Sequence, residues 1–214
     1  MKNKDDKIFI NNKIYSIRKF LGKGKSGYSY LAFCEDKLVV LKIIHHEPCA
    51  YYTFQNKIES EITAYKKLKT CNILIPELID IDYNKEIIVK EFFNGKIASE
   101  LIAENNLTDE ILVQLFLMSR NAKQNLLNID FFPNNFVIFQ EDLYYIDYEV
   151  NPYSDEWNLT NWGIYYWANS LGMKLFLKTG NHLEINCNEN SGIPIKEPFE
   201  KTVSLWIQKF NFSI

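Results

Sequence analysis

Asp130, Asn135 and Asp147 are three oxygen-bearing side chains placed where chemistry could use them together. The first two close the run Asp130-Phe131-Phe132-Pro133-Asn134-Asn135, and the third ends the apolar stretch Leu143-Tyr144-Tyr145-Ile146. Phosphoryl transfer from ATP calls for one carboxylate that orients an acceptor hydroxyl and for two oxygen ligands that hold magnesium against the phosphates. In that chemistry Asp130 is the base, and Asn135 and Asp147 are the metal ligands. Magnesium suits such a set, because it accepts a few protein oxygens and takes the rest from phosphate and water. Phe136 to Phe139 and Leu143 to Ile146 read as a short hairpin that brings Asp147 back to the Asp130 loop. Taken alone, D-x-x-x-x-N is a common pattern, and a polar loop between strands is the competing reading.

The elements upstream bear on that choice. Leu21-Gly22-Lys23-Gly24-Lys25-Ser26-Gly27-Tyr28 holds a G-x-G-x-x-G, and a β-rich run follows it to Phe33. A dinucleotide-binding fold would open a helix at this point. Here the context predicts a strand-loop-strand flap over phosphates, in which Gly22, Gly24 and Gly27 allow close backbone approach and some adopt positive φ. An ordinary glycine-rich hairpin is the plainer alternative. Next, Leu38-Val39-Val40-Leu41-Lys42-Ile43-Ile44 is an apolar strand with one lysine inside it, and a lysine so placed needs a partner. Asn56 to Lys69 shows Ile58, Ile62, Tyr65 and Leu68 at helical spacing. Glu61 lies at the edge of that apolar face, whereas Glu59 points away from it. Glu61 is therefore the expected partner of Lys42, a solvated carboxylate on the helix flank being the alternative.

With these five features in order, residues 15 to 170 resemble the protein-kinase-like superfamily. Val39-Val40-Leu41-Lys42 matches its lysine strand and Glu61 its helical glutamate. Asn128-Ile129-Asp130 through Asn135 matches its catalytic loop, and Asp147-Tyr148-Glu149 its metal-binding triplet. The resemblance implies an α+β, bilobal fold over 1–214 as one domain. A small five-stranded lobe with one helix would span about 13–92, and a reduced helical lobe about 93–214. It also implies that Ile88 to Gly95 is the last strand of the first lobe and a hinge, with backbone groups of Glu91 and Phe93 meeting adenine. Lys90, at the start of that hinge, is expected to face solvent.

Composition agrees with such a protein and removes other classes. A chain of 214 residues that is 47% hydrophobic can bury one sizeable core or two small ones. No apolar stretch reaches membrane-spanning length, and Met1-Lys2-Asn3-Lys4-Asp5-Asp6 has no signal-peptide core, so a soluble cytoplasmic protein without a membrane partner is expected. A net charge of -3 argues against nonspecific nucleic-acid binding. Cys34, Cys49, Cys71 and Cys187 form no C-x-x-C pair, which points to reduced thiols. In His45-His46-Glu47, adjacent side chains on a strand end point to opposite faces, an arrangement unsuited to one metal.

Coarse element boundaries follow from the pattern. The arm to about Asn12 is polar and expected to be loose. Helices are predicted from Ile97 to Glu104, from a Thr108 cap onward with Asp109 and Glu110 in the first turn, and from Thr160 to Leu171 as a buried central helix. Pro198 opens a last amphipathic helix with Phe199, Val203, Trp206, Ile207 and Phe210 on one side, an aromatic set that suits a core better than a ligand cage.

Departures from the family pattern narrow the acceptor. Ile129 stands where regulated protein kinases carry an arginine for a phosphorylated activation loop, and Phe132 where protein serine/threonine kinases carry a lysine. Only Val150 to Trp157 separates Asp147-Tyr148-Glu149 from the central helix, which leaves no room for an ordinary activation segment. In this economy the chain resembles RIO-type kinases, which implies an atypical serine/threonine protein kinase using ATP and Mg2+. Ile146-Asp147-Tyr148-Glu149 and the Trp157 to Trp162 stretch are instead similar to choline and aminoglycoside phosphotransferases, which implies a small-molecule acceptor. Asn128 in place of the family histidine leaves a nucleotide-binding scaffold as a third reading, disfavoured by the retained Lys42, Glu61, Asp130, Asn135 and Asp147.

Overall fold

A computed structural model describes residues 6–47, 56–189 and 191–211 of the chain. Cys49, among the cysteines discussed above, lies outside them. The chain divides into two compact units, one built from residues up to Lys66 with Pro76–Phe93 and the other from Lys67–Ile75 with Asn94 onward. The boundary falls inside a helix. Among the described residues no helix is long and apolar enough to cross a membrane.

The first unit is built on a six-stranded antiparallel sheet, with five strands within the expected 13–92 range and one more before it. Its strands are β1 (Lys7–Ile10), β2 (Lys13–Lys23), β3 (Gly27–Cys34), β4 (Lys37–Ile44), β5 (Leu78–Asp82) and β6 (Ile87–Glu91), in the spatial order β1-β2-β3-β4-β6-β5. The additional strand is β1, in the arm expected to be loose. It pairs with β2 through a two-residue turn at Asn11-Asn12, where both residues have positive φ. Such a turn matches the twist of the flanking strands, and asparagine tolerates the left-handed conformation it needs. Asn11 also donates through Nδ2 to Asp80 Oδ1 and to the Ile81 carbonyl, both at 2.8 Å, so the two edge strands meet and the sheet curls. Alternation then fills one face with a core of Ile8, Ile10, Tyr15, Ile17, Tyr30, Ala32, Val39, Leu41, Ile87 and Val89.

The opposite face carries charge. Lys42 of β4 sits across from Ile88 of β6, and Val40 across from Lys90, so Lys42 and Lys90 share a sheet face. Lys90 is buried, which corrects the expectation that it faces solvent. It shares its sheet face with Lys42, which is also buried, so that face is covered at this point and not open to water. The helix α1 (Lys57–Thr70) buries Glu61 and leaves Glu59 exposed, as its apolar spacing predicts.

The second unit begins with β7 (Lys96–Ile97), α2 (Ala98–Ala103) and α3 (Asp109–Gln124), followed by β8 (Leu127–Asn128). Thr108 occupies the N-cap position of α3 in extended conformation but makes no side-chain cap bond. The expected hairpin is present as β9 (Phe136–Phe139) and β10 (Asp142–Tyr145), and β7 adds to it in the order β10-β9-β7. A separate two-stranded pairing joins β8 to β11 (Asn151–Pro152). The single central helix expected over Thr160 to Leu171 is broken instead. A π-helical turn (Leu159–Gly163) leads into α4 (Ile164–Ala168), and α5 (Ser170–Thr179) starts afresh after Asn169. Asn169 causes the break: its side chain accepts from Gly172 N and so caps a new helix rather than continuing the old one. The last helix, α6 (Glu200–Phe210), follows a 3-10 turn containing Pro198 and buries Val203 and Phe210.

Candidate active site

In the first unit, the β4 lysine and the α1 glutamate meet. Lys42 Nζ lies 2.6 Å from Glu61 Oε1, both side chains being more than nine-tenths buried. An apolar strand and an amphipathic helix supply a low-dielectric setting in which each charge needs the other. Ser26, at the tip of the glycine loop, donates its hydroxyl to the same Glu61 Oε1 at 2.8 Å. Glu61 Oε2 is buried without a hydrogen-bond partner among the described residues.

The glycine loop is a tight hairpin closed by Gly24 N donating to the Gly27 carbonyl at 2.9 Å. None of Gly22, Gly24 and Gly27 has positive φ, contrary to the expectation for some of them. Gly27 is demanded by packing, because a Cβ there would stand 2.8 Å from the Ile43 carbonyl oxygen. A Cβ at Gly22 would meet nothing within 4 Å, and one at Gly24 would stand 3.8 Å from the Gly27 carbonyl oxygen. Beside the loop, Lys23 Nζ lies 2.5 Å from Glu47 Oε2, and the Tyr28 hydroxyl bonds the other oxygen. These two partners hold the Glu47 carboxyl down at about 2. His45 Nε2 contacts the Gly24 carbonyl and His46 Nε2 contacts Glu86, so the adjacent imidazoles go to different partners. At the expected hinge, Glu91 N donates to the Glu77 carbonyl at 2.9 Å, which commits that N–H within the sheet.

The second unit gathers the other three residues. Pro133–Asn135 forms a 3-10 turn, and its fixed proline φ helps bend the chain back on itself. Asn135 Nδ2 then donates to the Asp130 carbonyl at 3.3 Å, and Ile146 N donates to the Asn135 carbonyl at 2.8 Å, which sets Asp147 next to the turn. Asp130 Oδ1 accepts from Phe132 N at 3.0 Å, and Asp147 Oδ1 from Tyr148 N at 2.9 Å. Each carboxylate is thus oriented by a backbone N–H nearby in the chain.

Larger side chains fix the loop from beneath. Ile129 and Phe131, on either side of Asp130, are both buried. Trp167 of α4 donates its indole N–H to the Phe131 carbonyl at 2.8 Å. Gly163 must lack a side chain, since a Cβ would fall 2.3 Å from Phe131 Cβ. Phe132 packs edge-on against Tyr166 and Phe176, at 5.1 and 5.9 Å between ring centroids. Burial, followed by the nearby Asp130 carboxylate, pushes the Tyr166 phenol well above its ordinary value. Asn128 donates to the Ser154 carbonyl at 2.8 Å, and Tyr153 N donates to the Leu126 carbonyl at 2.9 Å. With the β8–β11 pairing, these bonds pin the short segment after Asp147 back onto the strand that leads into Asp130.

The sequence reading missed Ser26, Trp167, Gly163 and Tyr145, whose hydroxyl bonds Asp130 N and the Glu149 carbonyl, as supports. Tyr145 carried a signal of its own: a tyrosine in a strand two positions before a candidate ligand, where an apolar residue would serve packing equally well.

Among the described residues no three His, Cys, Asp or Glu side chains gather as a metal site. Asn135 and Asp147 instead offer one amide and one carboxylate. That hard-oxygen set fits magnesium when phosphate and water complete the shell. Comparison with protein-family models gave no match, and comparison with curated proteins gave none either.

Proposed function

We propose that this chain is an ATP- and magnesium-dependent phosphotransferase that moves the γ-phosphate of ATP to a hydroxyl, acting as an atypical serine/threonine protein kinase. The observation that carries the reading is the convergence of Asp130, Asn135 and Asp147 on one turn through the Asn135–Asp130 and Ile146–Asn135 bonds. The buried Lys42–Glu61 pair supports it.

In this reading Asp130 orients the acceptor hydroxyl and takes its proton, and Lys42, held by Glu61, contributes positive charge toward the phosphates. Asn135 and Asp147 would hold Mg2+, which when bound neutralises charge on the phosphate oxygens. The glycine flap, with open space at Gly22, lets backbone approach the phosphates. A cytoplasmic setting suits the free thiols Cys34 and Cys71.

A second reading, transfer to a small-molecule hydroxyl, is favoured by two features. Phe132 is packed against Tyr166 and Phe176, and the segment after Asp147 is pinned to β8, so neither offers a platform for an extended peptide. Incubation with labelled ATP and magnesium, followed by mass spectrometry, separates the two. Label on serine or threonine supports the protein acceptor. Rapid labelling of a polyol, aminoglycoside or choline with no protein label supports the small molecule, and no ATP turnover with any acceptor overturns both.

A further inference from the structure

Tyr145 ends β10, two residues before Asp147, and is fully buried. Its ring packs against Phe136, 5.3 Å between centroids, and Phe136 in turn packs edge-on against Trp167. That packing needs a ring and not a hydroxyl. The hydroxyl has two partners of its own: it accepts from Asp130 N at 3.3 Å and donates to the Glu149 carbonyl at 3.0 Å. One bond goes to the backbone of the candidate base, and the other to the backbone two residues beyond the candidate metal ligand.

We infer that Tyr145 is a positioning residue whose hydroxyl sets the backbone of the Asp130 loop against the 147–149 segment, so that the base and the metal ligand are held in one fixed relation. The inference rests on the phosphotransferase reading given above. The geometry supports it: both bonds reach main-chain atoms, so they constrain where Asp130 and Asp147 sit and not merely how their side chains rotate. Without the hydroxyl, the Asp130 N–H and the Glu149 carbonyl each lose this partner beside the site, and the two segments can shift independently. Misplacement by about an ångström costs on the order of 10²-fold in rate when reacting groups must be aligned.

The test is Tyr145→Phe, which keeps the ring and its packing. Hydrogen exchange at the Asp130 amide should accelerate at least about tenfold, while the Leu143 amide, bonded to the Gln114 side chain, keeps its protection. In the same preparation kcat should fall on the order of 10–100-fold with the KM for ATP unchanged within about twofold. A general loss of folding would accelerate both amides and raise KM, and would contradict the inference. Unchanged exchange at Asp130, or faster exchange with unchanged kcat, also overturns it. If the unaltered protein transfers no phosphate, the phosphotransferase reading fails first and takes the inference with it. Failure confined to Tyr145→Phe in an active protein removes the inference alone.

Discussion

The two units hold their candidate residues by opposite means. In the first, Lys42 and Glu61 come from regular elements and are fixed to each other by charge at 2.6 Å in a buried setting. In the second, Asp130, Asn135 and Asp147 lie outside long regular elements and are fixed by hydrogen bonds to main-chain atoms, over a floor of packed aromatic rings. The difference follows from what each part must do. A lysine on a strand already has a defined direction and needs only a partner to keep it there, whereas a loop has no ladder of its own and needs several outside anchors.

The larger effect is expected in the first unit. Lys42→Met leaves Glu61 as a buried charge with Ser26 as a neutral donor, and should lower stability by about 3–5 kcal/mol in denaturant unfolding. Adding Glu61→Leu should recover most of that loss, because a matched apolar pair no longer carries uncompensated charge, while transfer stays abolished in both variants. If the double variant is no more stable than Lys42→Met, charge is not what holds this unit's pair. In the second unit, Trp167→Phe removes the indole N–H from the Phe131 carbonyl and should cost about 1–3 kcal/mol. Because the anchor sits under Asp130, kcat should fall more than the affinity for ATP changes. An equal loss in both would show that Trp167 serves the core alone, which would narrow the contrast between the units.

How far each region can be read from sequence follows the same division. Lys42 and Glu61 were legible because periodicity states which face of a strand or helix a residue occupies, and burial of the one demanded the other. The strand β1 was not, because Asn11-Asn12 is a weaker turn signal than Asn-Gly and the arm before it is rich in charge. Lys90 was misjudged because alternation gives the face of a strand but not whether its neighbours leave that face open. In the second unit the spacing of Asp130, Asn135 and Asp147 was visible, but their anchors were not. Trp167 and Gly163 reach Phe131 from a distant helical segment, and that segment breaks at Asn169 where hydrophobic pattern alone continues it.

The central claim is that Asp130 serves the acceptor while Asp147 serves the metal–nucleotide complex, and it is tested most directly by measuring Mg-ATP affinity and turnover for Asp130→Asn and Asp147→Asn side by side. Asp130→Asn should lose about 10²–10⁴ in rate and retain the affinity of the unaltered protein for Mg-ATP, since only the proton acceptor is removed. Asp147→Asn should weaken magnesium-dependent ATP binding as well as transfer. A fully active Asp130→Asn, or an Asp147→Asn that binds Mg-ATP and turns over like the unaltered protein, would contradict the account.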